Sequence, residues 1–310
     1  MEFENEFFPA QKKKSLFFYR LSQFVALLLG AKIFVVLVLT FALYTSTFFL
    51  FNHEEGLRNF VFDLRVNGIL LCSIVSILAG GLINQFYDKE KDGVTKPFRS
   101  KLQSFLKEKY FLYAYLFLNG ISLTVSWFIS PRFFIYLLIY QFMMWFYSHK
   151  LSKIVLLNNL TFVALSLYPF FGMLVYYKTF SVHLFLMAVF LFLILYLIDI
   201  VKDTLTKNAD KVFGYQTLPN FFGSKITDLV VGGLLVFFAV TSLVLLFQSA
   251  LHTMMQFYFG CSVLISFLVG YYYFSSIKNS NFIVLNILRL WVFVGIIAML
   301  VDGILRMYPF

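Results

Sequence analysis

The chain has 310 residues, of which 61% are hydrophobic and only 13% charged, with 43 phenylalanines and a formal net charge of +10. Soluble domains carry roughly 25% charged residues, so this composition excludes an ordinary water-soluble globule and points to a chain dissolved in lipid. The excess of Lys and Arg is of the kind that membrane topology and anionic headgroups account for, and it gives no ground for nucleic-acid binding.

A bilayer core needs about 20 apolar residues per helix. Cutting the sequence at its polar interruptions predicts an all-α polytopic membrane bundle with nine spans, at 24–51, 67–86, 109–128, 131–147, 156–177, 181–200, 226–248, 253–274 and 283–306. The first run follows Lys12, Lys13, Lys14 and Arg20 and shows no small-residue cleavage site, so it is expected to remain as a span after a cytoplasmic tail over residues 1–22. Residues 23–310 are expected to form a single transmembrane domain. Between the third and fourth spans, Ser130-Pro131-Arg132 predicts a tight turn. Cys72 and Cys261 fall in apolar runs, where a thiol acts as a small buried hydrophobe. Asp302 and Arg306, at the end of the last span, are expected to pair.

Nine spans place the two termini on opposite sides. Most Lys and Arg crowd the N-terminal tail and the loops after the even-numbered spans, whereas the other side carries only Arg58, Arg65, Arg132, Lys178 and Arg306. The positive-inside rule then makes the N-terminus and the even loops cytoplasmic, in a multi-pass protein of the cell membrane.

Acidic residues avoid apolar spans, so those at span ends need a reason. Asn84, Asp88 and Asp92 follow the second span at intervals of four, which puts three oxygen-bearing side chains on one helical stripe. Asp199, Asp203 and Asp210, spaced by four and seven, share a face at the same-side end of the sixth span if that helix continues. Magnesium prefers oxygen ligands and commonly binds through one or two carboxylates plus substrate phosphates. Two facing carboxylate stripes could hold such ions with a diphosphate between them. Lys96, Arg99 and Lys202 stand where phosphate oxygens would need cations. As mere counter-charges to a positive loop these lysines need no further explanation; for two paired aspartate stripes that account is the weaker one.

The motifs resemble those of the UbiA superfamily of intramembrane prenyltransferases. Asn84, Asp88, Asp92, Pro97 and Arg99 fill the family's first motif, similar to N-D-x-x-D-x-x-x-D followed by proline and arginine. Lys202, Asp203, Asp210, Gly214, Thr217, Leu218 and Pro219 match the second, similar to K-D-x-x-D-x-x-x-D-x-x-x-G-x-x-T-L-P, and Tyr147, Ser148, Leu151 and Asn159, with Lys150 between them, resemble a third. The chain departs from the pattern at Gln85 and Thr206, where aspartates are common, at Ser100, where a proline is common, and at Ile198-Asp199, in place of a frequent Arg-Glu pair.

The resemblance implies magnesium-dependent transfer of a polyprenyl group from an allylic prenyl diphosphate to an acceptor in the membrane, at a cytoplasmic-side active site. Asn84, Asp88, Asp92, Asp203 and Asp210 would hold magnesium and diphosphate; Lys96, Arg99, Lys150, Asn159, Asp199 and Lys202 would contact substrate; Tyr147 would present an aromatic face to an allylic cation. An aromatic quinone precursor is the expected acceptor, with a glyceryl phosphate lipid precursor second. Two readings from other classes compete: a secondary transporter, which would place its ion site near the midplane at interrupted helices, and a non-catalytic protein that binds isoprenoid lipids.

Overall fold

A computed structural model describes residues 16–51, 56–248 and 253–307. In chain order the helices are α1 (Leu16–Gly30), α2 (Ile33–Ser46, prolonged by a π-helical turn over Thr47–Phe51), α3 (Leu57–Phe62), α4 (Leu64–Tyr87), α5 (Lys89–Thr95), α6 (Pro97–Gln103) and α7 (Glu108–Ile129). There follow α8 (Pro131–His149), a 3-10 turn (Leu151–Lys153), α9 (Leu157–Tyr177), α10 (Val182–Val212), α11 (Leu218–Phe221), α12 (Gly223–Leu246), α13 (Thr253–Phe274) and α14 (Ser280–Met307). Among the described residues the fold is entirely helical, as lipid demands of a chain that must satisfy its backbone internally.

Among the described residues eight helices are long and apolar enough to cross a membrane: α2 with its π turn, α4, α7, α9, α10, α12, α13 and α14. The expected fourth span is present as α8, 19 residues long, but Arg132, Gln141 and His149 make it less apolar than the others. Ser130 caps it in extended conformation with Pro131 at its first position, which is how the tight turn from α7 is made.

The first expected span needs correction. Residues 24–51 are not one helix: α1 ends at Gly30, and α2 starts after Lys32, whose backbone is left-handed at φ 56° and ψ 45°. The expected boundary of a tail at residue 22 therefore falls inside α1. Here Gly81 of α4 lets two backbones meet, since a Cβ at that position would stand 2.5 Å from the Ala31 carbonyl oxygen.

Two sets of helices pack around clusters of their own, and a further cluster joins them through Ile69 and Leu70 of α4 and Leu184 of α10. Ala79, Leu82 and Ile83 of α4 pack with Phe111 and Tyr115 of α7, while Cys72 joins Leu137 and Tyr140 of α8. In the C-terminal set, Ile194 and Leu197 of α10 pack with Phe238 of α12, Phe259 of α13 and Leu288 of α14. Asp302 pairs with Arg306 at 3.0 Å and is buried, its carboxylate also accepting the Met255 amide at the start of α13. The C-terminal ends of α4 and α10 bring one carboxylate stripe from each set to a common place.

Candidate active site

The first stripe survives a break in its helix. Tyr87 ends α4 and Lys89 starts α5, yet Asp88 N–H donates to the Asn84 carbonyl at 2.9 Å and Asp92 N–H to the Asp88 carbonyl at 2.8 Å. Helical spacing thus carries across the junction. Asn84 Nδ2 donates to Asp88 Oδ2 at 2.8 Å, which leaves the side-chain oxygen Oδ1 as a hard donor. Asp92 is buried; one carboxylate oxygen pairs with Lys96 Nζ at 2.7 Å and the other, Oδ2, is enclosed without a hydrogen-bond partner.

The second stripe lies on α10, which runs unbroken for 31 residues through Asp199, Asp203 and Asp210, all three buried. The start of α9 holds it from the side. Leu156, with φ at 66°, turns the chain into α9, and Asn159 Nδ2 then donates to both Asp199 and Asp203 at 2.8 Å. Asn158 Nδ2 adds a bond to Asp203 at 3.3 Å. Lys202 Nζ pairs with Asp199 at 2.5 Å and stands 5.2 Å from the Phe162 ring centre; that ring faces Tyr147 at 6.3 Å.

Two contacts join the stripes. Lys91 Nζ, from α5, pairs with Asp210 at 2.5 Å. Tyr215 donates its hydroxyl to Asp88 Oδ1 at 2.5 Å, while Lys91 and Lys153 lie over its ring at 3.9 and 5.5 Å. Burial, reinforced by the Asp88 charge, pushes the Tyr215 phenol well above its ordinary pKa, so it remains a donor. Gly214 makes this possible. Its φ of 73° turns the chain back so that the Tyr215 amide donates to the Asp210 carbonyl at 2.8 Å, closing α10.

The sequence-derived residues thus fall into two groups. Asn84, Asp88, Asp92, Lys96, Asn159, Asp199, Lys202, Asp203 and Asp210 lie in one hydrogen-bonded and ion-paired region, with Tyr147 at its edge beside Phe162. Arg99 is turned differently, its Nη2 donating to the Leu29 carbonyl of α1 at 2.5 Å. Lys150 is exposed at the end of α8, and its side chain has no part in the carboxylate network among the described residues. Thr206, which replaces an aspartate of the motif, donates to Asp210 Oδ2 at 2.7 Å. Gln85 is buried and accepts from Gln103 of α6 at 2.9 Å, so it serves packing. Lys91, Lys153, Asn158 and Tyr215 were missed by the sequence reading, although Lys91 and Asn158 adjoin motif residues.

Do these residues fit magnesium? No three of the described His, Cys, Asp and Glu residues already converge on one point. Magnesium does not require that, because it keeps waters and shares phosphate oxygens. The donors are all hard oxygens, one of them is buried without a partner, and ammonium groups already occupy the carboxylates from both stripes. The residues fit a divalent cation.

One turn before Asp199, an apolar cavity of about 170 Å³ begins at Leu195 and follows α10 to Leu184, about 16 Å along the helix axis. Phe170 of α9, Phe259 of α13 and Met299 of α14 line it. Its walls suit hydrocarbon rather than a path for ions.

The model of the UbiA prenyltransferase family matches residues 58–282. Digeranylgeranylglyceryl phosphate synthase of Methanosphaera stadtmanae is 30% identical over 157 residues, covering 50% of this chain and 57% of that protein. The synthase of the same name from Pyrococcus furiosus is 27% identical over 151 residues, 47% of this chain and 52% of its own. The chain thus spans about half the length of the curated relatives it matches. Among solved structures, one concerned with digeranylgeranylglyceryl phosphate synthase in membranes superposes with a TM-score of 0.68 at 17% identity, covering 91% of this chain and 99% of that one. A UbiA homologue from Archaeoglobus fulgidus bound to GPP and Mg2+ gives 0.62 at 14% identity over 89% of this chain and 99% of its own. These likenesses establish the fold.

Proposed function

The chain belongs to the UbiA prenyltransferase family, and on that footing we propose that it transfers a polyprenyl group from an allylic prenyl diphosphate to a glyceryl phosphate lipid. The observation that carries the reading is the meeting of the two carboxylate stripes, bridged by Tyr215 to Asp88 and by Lys91 to Asp210. The names of the curated relatives support a glyceryl phosphate acceptor over the aromatic quinone precursor that the sequence alone placed first.

In this reading the donor's carbon–oxygen bond breaks and its electron pair leaves with the diphosphate. Magnesium, when bound, would neutralise the charge that grows there. Asn84, Asp88, Asp92, Asp203 and Asp210 would hold it, and Lys91 and Lys202 would orient phosphate oxygens. Tyr147 and Phe162 present ring faces to the allylic fragment. The glyceryl hydroxyl oxygen attacks the freed carbon, forms the ether and passes its proton to the released diphosphate. The hydrocarbon tail lies in the cavity along α10, where each buried methylene contributes about 0.8 kcal/mol. Positive-inside charge supports a cytoplasmic location for the site.

The test is transfer of a labelled allylic diphosphate by the purified protein to a prenylated glyceryl phosphate or to an aromatic acid, with and without magnesium. We expect metal-dependent product with the glyceryl phosphate, reduced at least about 100-fold by Asp88→Asn or Asp203→Asn. Transfer to the aromatic acid alone would return the acceptor to the quinone class. No diphosphate release from any donor would reject the enzyme.

A further inference from the structure

The break between α1 and α2 places a lysine in a run of apolar residues, in a left-handed backbone conformation uncommon outside glycine. The break is firmly built. Gly81 admits the Ala31 backbone against α4 one turn before Asn84 and Gln85, Ala31 is buried beside α4 and α7, and the guanidinium of Arg99 grips the Leu29 carbonyl. Lys32 is thereby fixed in the field of Asp88, Asp92, Lys96 and Arg99.

Its pairing differs from that of the other lysines in the site. Lys91, Lys96 and Lys202 are each tied to a carboxylate. The Lys32 ammonium has no hydrogen-bond or ion-pair partner among the described residues, and Nε of Arg99, whose charge Lys32 feels, is buried without one. These two donors belong to the α1–α6 side of the first stripe, whereas Tyr215 and Lys91 tie that stripe to α10 on the other side. A place furnished with spare cationic donors suits a phosphate that brings no metal. Phe24 and Val25 of α1 and Phe34 and Val35 of α2 are exposed on the same two helices, offering a hydrocarbon-facing approach for a lipid.

We propose that Lys32 and Arg99 bind the phosphate monoester of the acceptor lipid, and so select a glyceryl phosphate over an uncharged acceptor. This rests on the acceptor class proposed above. The other phosphate in the reaction is the donor's diphosphate, so the test reads both substrates separately.

With the full chain in lipid nanodiscs, Lys32→Met is expected to raise the acceptor KM about tenfold or more, the scale of one lost charge-assisted contact. The donor KM should stay within about twofold, and Lys32→Arg should restore most of the acceptor affinity. Equal acceptor KM in wild type and Lys32→Met, or a rise confined to the donor KM, overturns the inference while leaving the enzyme intact. An equilibrium measurement stands apart from turnover: titration of a short-chain alkylglyceryl phosphate, followed by calorimetry. Binding to wild type that weakens about tenfold in Lys32→Met supports the inference even if catalysis proves to use another acceptor. Absent binding to wild type, or equal binding to both proteins, overturns it.

Discussion

Tyr215 offers Asp88 a hydroxyl that remains protonated, because burial and the neighbouring carboxylate both raise its pKa. A hydrogen bond to a charged group contributes about 1.5–3 kcal/mol. Tyr215→Phe keeps the ring under Lys91 and removes only that bond, so kcat/KM for the donor should fall about tenfold, well short of the loss in Asp88→Asn; steady-state diphosphate release measures both. Lys32 carries a prediction of a different kind. Burial, then the Lys96 charge, lowers its pKa from 10.5 to about 8. Between those values the unfolded chain binds more protons than the folded one, so this group makes stability rise with pH from about 8 toward 10.5. Thermal unfolding in detergent at both ends of that window should show the rise in wild type and a smaller one in Lys32→Met. The aspartates could be read from the sequence because local spacing alone puts them on one stripe. Tyr215 could not, since its partner lies 127 residues away, and Lys32 was concealed because one charge barely changes the hydropathy of a long apolar run.

Among elements, two adjacent glycines of α4 should respond unequally, Gly81 at the junction with α1 and α2 and Gly80 against α8. A Cβ at Gly80 would meet the flexible end of Met144, whereas one at Gly81 would meet the backbone of Ala31. A methionine can move aside and a docked backbone cannot, so Gly81→Ala should cost about 1–3 kcal/mol and Gly80→Ala less, read as the fall in unfolding temperature. Gly214→Ala should cost about 1 kcal/mol through its left-handed backbone and should also slow donor turnover by displacing Tyr215. The sequence located the long helices well, because lipid forces a long apolar run to become a helix. It merged α1 with α2, since that break is imposed by a tertiary contact at Gly81 and no proline or polar cluster marks it. The continuation of α10 through Asp210 could be stated only as a condition, because its last three turns leave the apolar run.

On the scale of the whole molecule, the positive-inside rule predicts that the connections after the even-numbered expected spans face the cytoplasm. Cysteine placed at exposed Asn208 or Lys178 tests this in sealed vesicles of known sidedness, in a chain whose Cys72 and Cys261 have been replaced. An impermeant thiol reagent should reach position 208 only from the cytoplasmic side and position 178 only from the other; the reverse pattern would invert the topology. The lysine–carboxylate pairs within and between the two stripes have a thermodynamic consequence of their own. Lys91, Lys96 and Lys202 occupy oxygens of Asp210, Asp92 and Asp199, so a cation arriving there must evict ammonium groups, and the evicted groups acquire affinity for an anion. Each ligand therefore prepares the place of the other. Linkage makes that coupling reciprocal: the factor by which magnesium tightens the hold on a diphosphate must equal the factor by which the diphosphate tightens the hold on magnesium. Neutralising Lys91 should diminish both factors together.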